Sequence, residues 1–145
     1  MNDATVHALV DRERIGDVVN TLFVATDARD WARVRDCFAP EVVFDMTSLA
    51  GGSPTQLSPE EIVTGWAKGL ETIEAVHHQF GNLSVRCDGA VASASCYGIA
   101  YHYRRTASGR NTRLFVGSYD FHFRQQDGKW KIDLFRFKAK FVDGN

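Results

Sequence analysis

Cysteine is scarce in this chain: three residues, Cys37, Cys87 and Cys96, in 145, with no Cys-x-x-Cys pair among them. An odd number without that spacing gives no sign of a disulfide framework or a thiolate metal site; free thiols in the cytoplasm are the simplest account and the expectation. An excess of charge is missing too. With 17 basic and 18 acidic side chains the net charge is −1, which provides no positive field for a polyphosphate, so nucleic acid is not an expected partner. No apolar run approaches the roughly 20 residues that cross a bilayer, and the polar start Met1-Asn2-Asp3 does not read as a signal peptide, so no membrane partner is expected either. The five histidines include no His-x-x-x-His or His-Glu-x-x-His spacing, and no metal is expected. A phosphate-cradling glycine loop and a Gly-x-Ser-x-Gly nucleophile motif are likewise absent; Gly51-Gly52 stands alone.

What is present is an ordinary globular composition, 44% apolar and 24% charged, enough to bury a core. No linker, repeat or compositional break divides it, so residues 1–145 read as one domain. Helical periodicity rules up to about Glu74 and strand-like alternation beyond it, an order that argues α+β. A first helix is expected over 12–25, burying Ile15, Val18, Val19, Leu22 and Phe23. A second begins after Asp30 as N-cap and ends at Pro40, followed by a short strand over 42–46 and a loop at Gly51-Gly52-Ser53-Pro54. Ser58-Pro59-Glu60-Glu61 is a capping box with proline at the first helical position, opening a helix that carries Ile62, Val63, Trp66, Leu70 and Ile73. Four strands follow near 76–87, 90–104, 113–125 and 129–141, with Asp88-Gly89 and Asp127-Gly128 as hairpin turns.

One strand hints at a cavity. Ala92, Ala94, Cys96, Gly98, Ala100 and His102 share a face, with Val91, Ser93, Ser95, Tyr97, Ile99, Tyr101 and Tyr103 opposite. The next strand offers Phe115, Gly117, Tyr119, Phe121 and Phe123 on one face. Together they fit either an apolar pocket with a polar tip or ordinary core packing, and the ten phenylalanines suit both. The chemistry-bearing residues left are carboxylates and imidazoles. Asp27 follows the first helix at the edge of its buried stripe, with Thr26 at the centre; a capping carboxylate and a functional one are both open. His78 reads equally as a hydrogen-bonded core histidine, and Arg104, Arg105, Arg110 and Arg113 as a solvated loop.

A resemblance adds to this reading. The order Asp27-x-x-Asp30-Trp31, Phe44-Asp45, His78-Gln79-Phe80-Gly81-Asn82, Tyr97-Gly98-Ile99-Ala100-Tyr101-His102 and Asp127-Gly128-Lys129-Trp130-Lys131-Ile132 resembles the SnoaL-like branch of the nuclear-transport-factor-2-like superfamily. Within it the chain is similar to the scytalone dehydratases and, more distantly, to the lindane dehydrochlorinases. The resemblance implies a cystatin-like cone: a curved, mostly antiparallel sheet around N-terminal helices, with an apolar pocket at the open end. It implies catalysis without a cofactor, in which Asp27 and His78 form an Asp–His dyad that removes a proton from a small cyclic, mostly apolar substrate. His102 matches a second pocket histidine, acting as acid or carbonyl partner, and Asp45 a further pocket carboxylate or a structural strand-end aspartate. Thr26 and Met46 stand where the dehydratases carry tyrosines, a departure that argues against scytalone itself. Thr26, Met46, Trp66, Tyr97 and Tyr119 are the expected substrate contacts, with Tyr97, Tyr101 or Tyr119 replacing the absent hydroxyls. The alternatives are a non-catalytic binder or assembly subunit, and an isomerase or cyclase in which a carboxylate alone shuttles the proton. A homo-oligomer, trimer or dimer, is implied as well.

Overall fold

The structure, a computed structural model, describes residues 2–144. Helix α1 spans Asp3–Asp27 and is capped where Asn2 Oδ1 accepts from the Thr5 N–H at 2.8 Å. It begins well before residue 12 because its first turns are exposed on every side and carry no buried stripe for periodicity to detect. Further along, Ile15, Val19, Leu22 and Phe23 are buried as expected, while Val18 packs at the margin. Helix α2, Trp31–Asp36, starts after Asp30, whose carboxylate accepts from the Arg33 N–H.

Pro40 does not end that helix. The chain leaves it at Cys37 and enters strand β1, Phe38–Asp45, with Pro40 inside it. Proline is tolerated there because β1's register with its neighbour breaks between Phe38 and Val43, where a ladder N–H is not required. A four-residue helix α3, Thr47–Ala50, and a three-residue strand β2, Thr55–Leu57, flank the expected loop; both are too short to leave a periodic signal. Helix α4, Pro59–Gly69, opens on the capping box, with Ser58 and Glu61 each accepting the other's backbone N–H. It closes at Gly69, so Leu70 is its C-cap and Ile73 lies beyond it.

Strands β3 (Ala75–Asp88), β4 (Val91–Tyr103), β5 (Thr112–Gln126) and β6 (Lys129–Gly144) form the antiparallel meander that the alternation pattern and turn residues indicate. The Asp127-Gly128 turn has both residues at positive φ, 53° and 75°, the two-residue geometry whose twist matches a hairpin. The complete sheet has six strands in the order β2-β1-β6-β5-β4-β3, with β1 parallel to β6 and every other pair antiparallel. It is curved and not closed. Bulges supply bend: Asn82, at φ 55°, and Leu83 together oppose the single residue Cys96, and β6 slips register at two points against β5. The α+β architecture with N-terminal helices on the concave face is therefore as expected.

The core lies between that face and the helices. Ile15, Val19 and Leu22 of α1, Phe121 and Phe123 of β5 and Ile132 of β6 are fully buried, each contributing about 1.5–3 kcal/mol on removal from water. On the other side of the sheet Tyr97, Tyr101, Tyr103 and Phe141 stand exposed. No helix among the described residues is long and apolar enough to cross a membrane.

Candidate active site

Asp27 is the last residue of α1, and His78 points inward from β3 beside it. The two lie 51 residues apart and meet through two hydrogen bonds. His78 Nδ1 is 2.6 Å from Asp27 Oδ1, and the His78 backbone N–H donates to Asp27 Oδ2 at 2.9 Å. An ionised carboxylate only accepts, so Nδ1 carries the ring proton and Nε2 holds the free lone pair. Both side chains are largely sheltered, 20% exposed for Asp27 and 15% for His78. Nε2 has no partner among the described residues and no sealed polar atom lacks one, so this nitrogen opens to space.

Local sequence explains the meeting. Phe23 sits one turn before Asp27 on the same face of α1 and stacks on the His78 ring, centroids 5.3 Å apart at 19°. Across from His78 stands Ala100, whose small side chain leaves the imidazole room. The end of α1 is itself pinned. Arg29 turns the chain at φ 57°, and its guanidinium donates to the carbonyls of Leu70 and Ile73 after α4. The helix that delivers the acid is thus tied to the helix that roofs the cavity.

That cavity measures about 210 Å³ and is overwhelmingly apolar. Phe23 and Thr26 come from α1, Met46 and Leu49 from around α3, and Trp66 from α4; Ala100, His102, Phe115, Tyr119, Phe135 and Phe137 rise from the sheet. His78 lines it, while Asp27 stays behind the imidazole. His102 is diagonal to His78 across the β3–β4 ladder, since Val76 faces His102 and Ala100 faces His78. Its ring packs against Phe115 at 4.8 Å and makes no hydrogen bond among the described residues. Burial, reinforced by the charges of His78 and Arg113, pushes its pKa down to about 4, against the weaker pull of Asp27. Near neutral pH His102 is therefore a neutral imidazole with one N–H to donate. Tyr119 is buried, with its ring against Gly98, where a Cβ would fall 2.1 Å from it. Its hydroxyl has no partner among the described residues and, not being sealed, faces the cavity; burial above all, then Cys96 and Asp27, pushes its pKa up.

Of the residues expected to touch substrate, Thr26, Met46, Trp66 and Tyr119 line the cavity. The Thr26 hydroxyl already donates to Leu22 O at 2.6 Å, so it can only accept from a ligand. Tyr97 does not line it and is removed from the set. Strand alternation turns it to the outer face, 55% exposed, where Lys140 lies 4.1 Å above its ring. Tyr101 shares that outer face, which leaves Tyr119 as the inward tyrosine of the three. Asp45 is structural: it accepts from the Thr47 N–H and hydroxyl and from Arg136 Nε at 2.9 Å, and these bonds hold its carboxyl below the usual range. Phe115, on the strand face expected to line a pocket, does line it, whereas Phe23, Leu49, Phe135 and Phe137 are wall residues the sequence reading does not pick out; for Phe23 the available signal is its spacing of four from Asp27. Among the described residues no group of three or more His, Cys, Asp or Glu side chains is arranged to hold a metal ion.

A curved open sheet over N-terminal helices, with His78 in the wall of an apolar hollow and Asp27 behind it, defines a class of small α+β cone proteins. The SnoaL-like domain family matches residues 7–136, and the chain belongs to it. Its fold is shared by the Kfla4162 protein from Kribbella flavida, at TM-score 0.89 and 18% identity over 94% of this chain and 95% of that one. A candidate scytalone dehydratase from Novosphingobium aromaticivorans superposes at 0.79 with 15% identity, covering 96% of this chain and 90% of its own. A hexachlorocyclohexane dehydrochlorinase of type 3 from Novosphingobium barchaimii superposes at 0.79 with 14% identity over 97% and 94%. These likenesses establish the fold alone. No curated protein matches the chain in sequence.

Proposed function

We propose that the chain is a dehydratase-type lyase that works without a cofactor on a small cyclic, mostly apolar substrate. His78 Nε2 acts as the general base that takes a proton from carbon. Asp27 fixes the imidazole tautomer and balances the imidazolium as it forms, which is what a carboxylate on Nδ1–H does in a water-poor site. The single observation that carries the reading is the grip of both Asp27 oxygens on His78, with Nε2 left free at an apolar cavity. A carboxylate working alone is disfavoured by the same observation, because both oxygens are engaged behind the ring. The neutral His102 N–H and the Tyr119 hydroxyl are donors suited to a carbonyl oxygen, which His102 polarises without acting as an imidazolium acid; the proton that His78 takes from carbon is returned from its Nε2 to the departing hydroxyl, which leaves as water and regenerates the base. Neighbours in fold whose names denote a dehydratase and a dehydrochlorinase support elimination as the reaction type.

The test is base-catalysed hydrogen exchange, which does not require the leaving group to be known. Purified protein is incubated in D2O with a panel of cyclic ketones and hydroxyketones, and deuterium incorporation next to the carbonyl is followed by NMR. His78→Ala is expected to lose about 10²–10⁴ of any catalysed exchange, the usual contribution of a placed base. Exchange in His78→Ala at the wild-type rate would remove the mechanism.

A further inference from the structure

We propose that the substrate carries an anionic arm, a carboxylate in the simplest case, held by Arg104 and Arg113 in a second hollow beyond His102. This rests on the reading that the apolar cavity binds the cyclic body of a substrate.

The hollow measures about 290 Å³ and shares Gly69, His102 and Phe115 with the main cavity, so the two adjoin at His102. Its remaining walls are Ile73, Arg104, Asn111 and Arg113. The four arginines of this region have different occupations. Arg105 is taken by Glu74, whose carboxylate accepts from its Nε, Nη2 and backbone N–H. Arg110 does not line the hollow. Arg104 and Arg113 line it and make no ion pair among the described residues; Arg104 has only a long bond to the Thr72 hydroxyl at 3.4 Å. Arg113 lies over the Phe115 ring, 5.3 Å from its centroid, a stacking that restrains the guanidinium at the junction of the two spaces. Asn111 completes the set of donors. Its Oδ1 accepts from the Thr106 N–H, which orients the amide and leaves the NH2 end without a partner among the described residues. Two uncompensated guanidiniums and a free amide N–H, adjoining an apolar cavity, are the groups that recognise a planar oxyanion. A ring seated against His78 would send a substituent past His102 into their reach.

The probes are 3-phenylpropanoate, its neutral methyl ester, and acetate or inorganic phosphate alone, with binding measured calorimetrically at low ionic strength and no turnover required. The carboxylate is expected to bind at least about tenfold more tightly than the ester, a modest ratio for two charge-assisted bonds in solvent contact. In the double variant Arg104→Gln, Arg113→Gln that ratio should fall below about twofold while ester affinity stays put; both residues are exposed, so the fold should survive. Equal binding of carboxylate and ester to the wild type would overturn the proposal, as would a preference that persists in the double variant. So would acetate or phosphate binding as tightly as the aryl acid, which would make the hollow a simple anion site. Ester binding without carboxylate preference refutes only the anionic arm, whereas failure of both aryl compounds to bind removes the cavity reading beneath it as well.

Discussion

Replacing Asp27 with Asn changes a single atom, yet the geometry predicts a large loss. Asp27 satisfies two donors of one residue, the Nδ1–H and the backbone N–H of His78. Asparagine has one oxygen and one NH2 for those two positions. If the oxygen stays on the backbone N–H, the NH2 faces Nδ1, which must then accept, and the ring proton moves to Nε2. The base has become a donor. The opposite flip preserves the tautomer but sets NH2 against the backbone N–H, leaving a sheltered donor unmet at about 1–3 kcal/mol. That penalty alone disfavours the working tautomer about 5- to 150-fold. Loss of the charge-assisted bond to the imidazolium in the transition state takes a further 1.5–3 kcal/mol or so. Together they amount to about 10²–10⁴ in rate, with little change in thermal stability because the side chain keeps its shape. The assay is deuterium exchange into a ketone of the active panel, with ¹⁵N chemical shifts of His78 reporting the tautomer independently. Asp27→Asn exchanging within about fivefold of wild type, or retaining its proton on Nδ1, would refute the reasoning.

His102 makes stability depend on acid. Its pKa lies near 4 in the folded chain against 6.5 for a free side chain, so the unfolded state binds the proton first. The neutral-pH contribution is present above about pH 6.5 and lost as pH falls towards 4; the shift sets a ceiling of about 3 kcal/mol, and solvent reaching the cavity reduces it to about 1–2. Urea unfolding at pH 7 and 4.5 should show a smaller acid loss in His102→Asn, and an equal loss in both proteins would count against it. Gly98→Ala sets a methyl against the Tyr119 ring and should destabilise by about 1–3 kcal/mol while displacing the tyrosine, read as a lowered Tm together with weakened ligand binding. Cys37 and Cys96, with thiols raised to about 11 and 12 chiefly by burial, should resist iodoacetamide at pH 8 while the less buried Cys87 is labelled first, as mass spectrometry of timed quenches can check.

Much of the fold was legible because its signals are local. Alternation and the two Asp-Gly turns mark the four long strands to within a residue or two at most ends, and the Ser58–Glu61 box marks the start of α4. The errors have physical causes. The exposed first turns of α1 bury nothing and so show no period, and Pro40 looked like a helix stop because a break in strand register cannot be read from one strand. The site was harder. No periodicity brings Asp27 to His78 across 51 residues; the resemblance alone paired them, and the helix wheel left Asp27 at an edge from which it could turn either way. Tyr97 shows the limit of residue type: its hydroxyl suited the chemistry, but its strand parity, opposite the small-residue face, had already turned it outward. The arginine loop looked merely solvated because net charge averages over the chain, whereas binding responds to which guanidiniums lack a carboxylate.

Under the proposed mechanism, the arrangement lets a base and two hydrogen-bond donors share so apolar a hollow without neutralising one another. His78 meets α1 at its C-terminal end, through both oxygens of Asp27. His102 is far enough along β4 to escape the dyad's hydrogen bonds yet close enough to feel its charge. A proton gained by His78 therefore makes a second proton on His102 still less favourable, and His102 stays a neutral donor when negative charge develops on a substrate oxygen. In the proposed mechanism, Asp27 behind the ring, His78 Nε2 at its edge and the neutral His102 opposite are held apart by strand spacing, so a proton taken on one side would leave the polarising bond on the other in place. Elimination needs that separation, because the electrons released at carbon must travel through the substrate rather than recombine with the proton just taken.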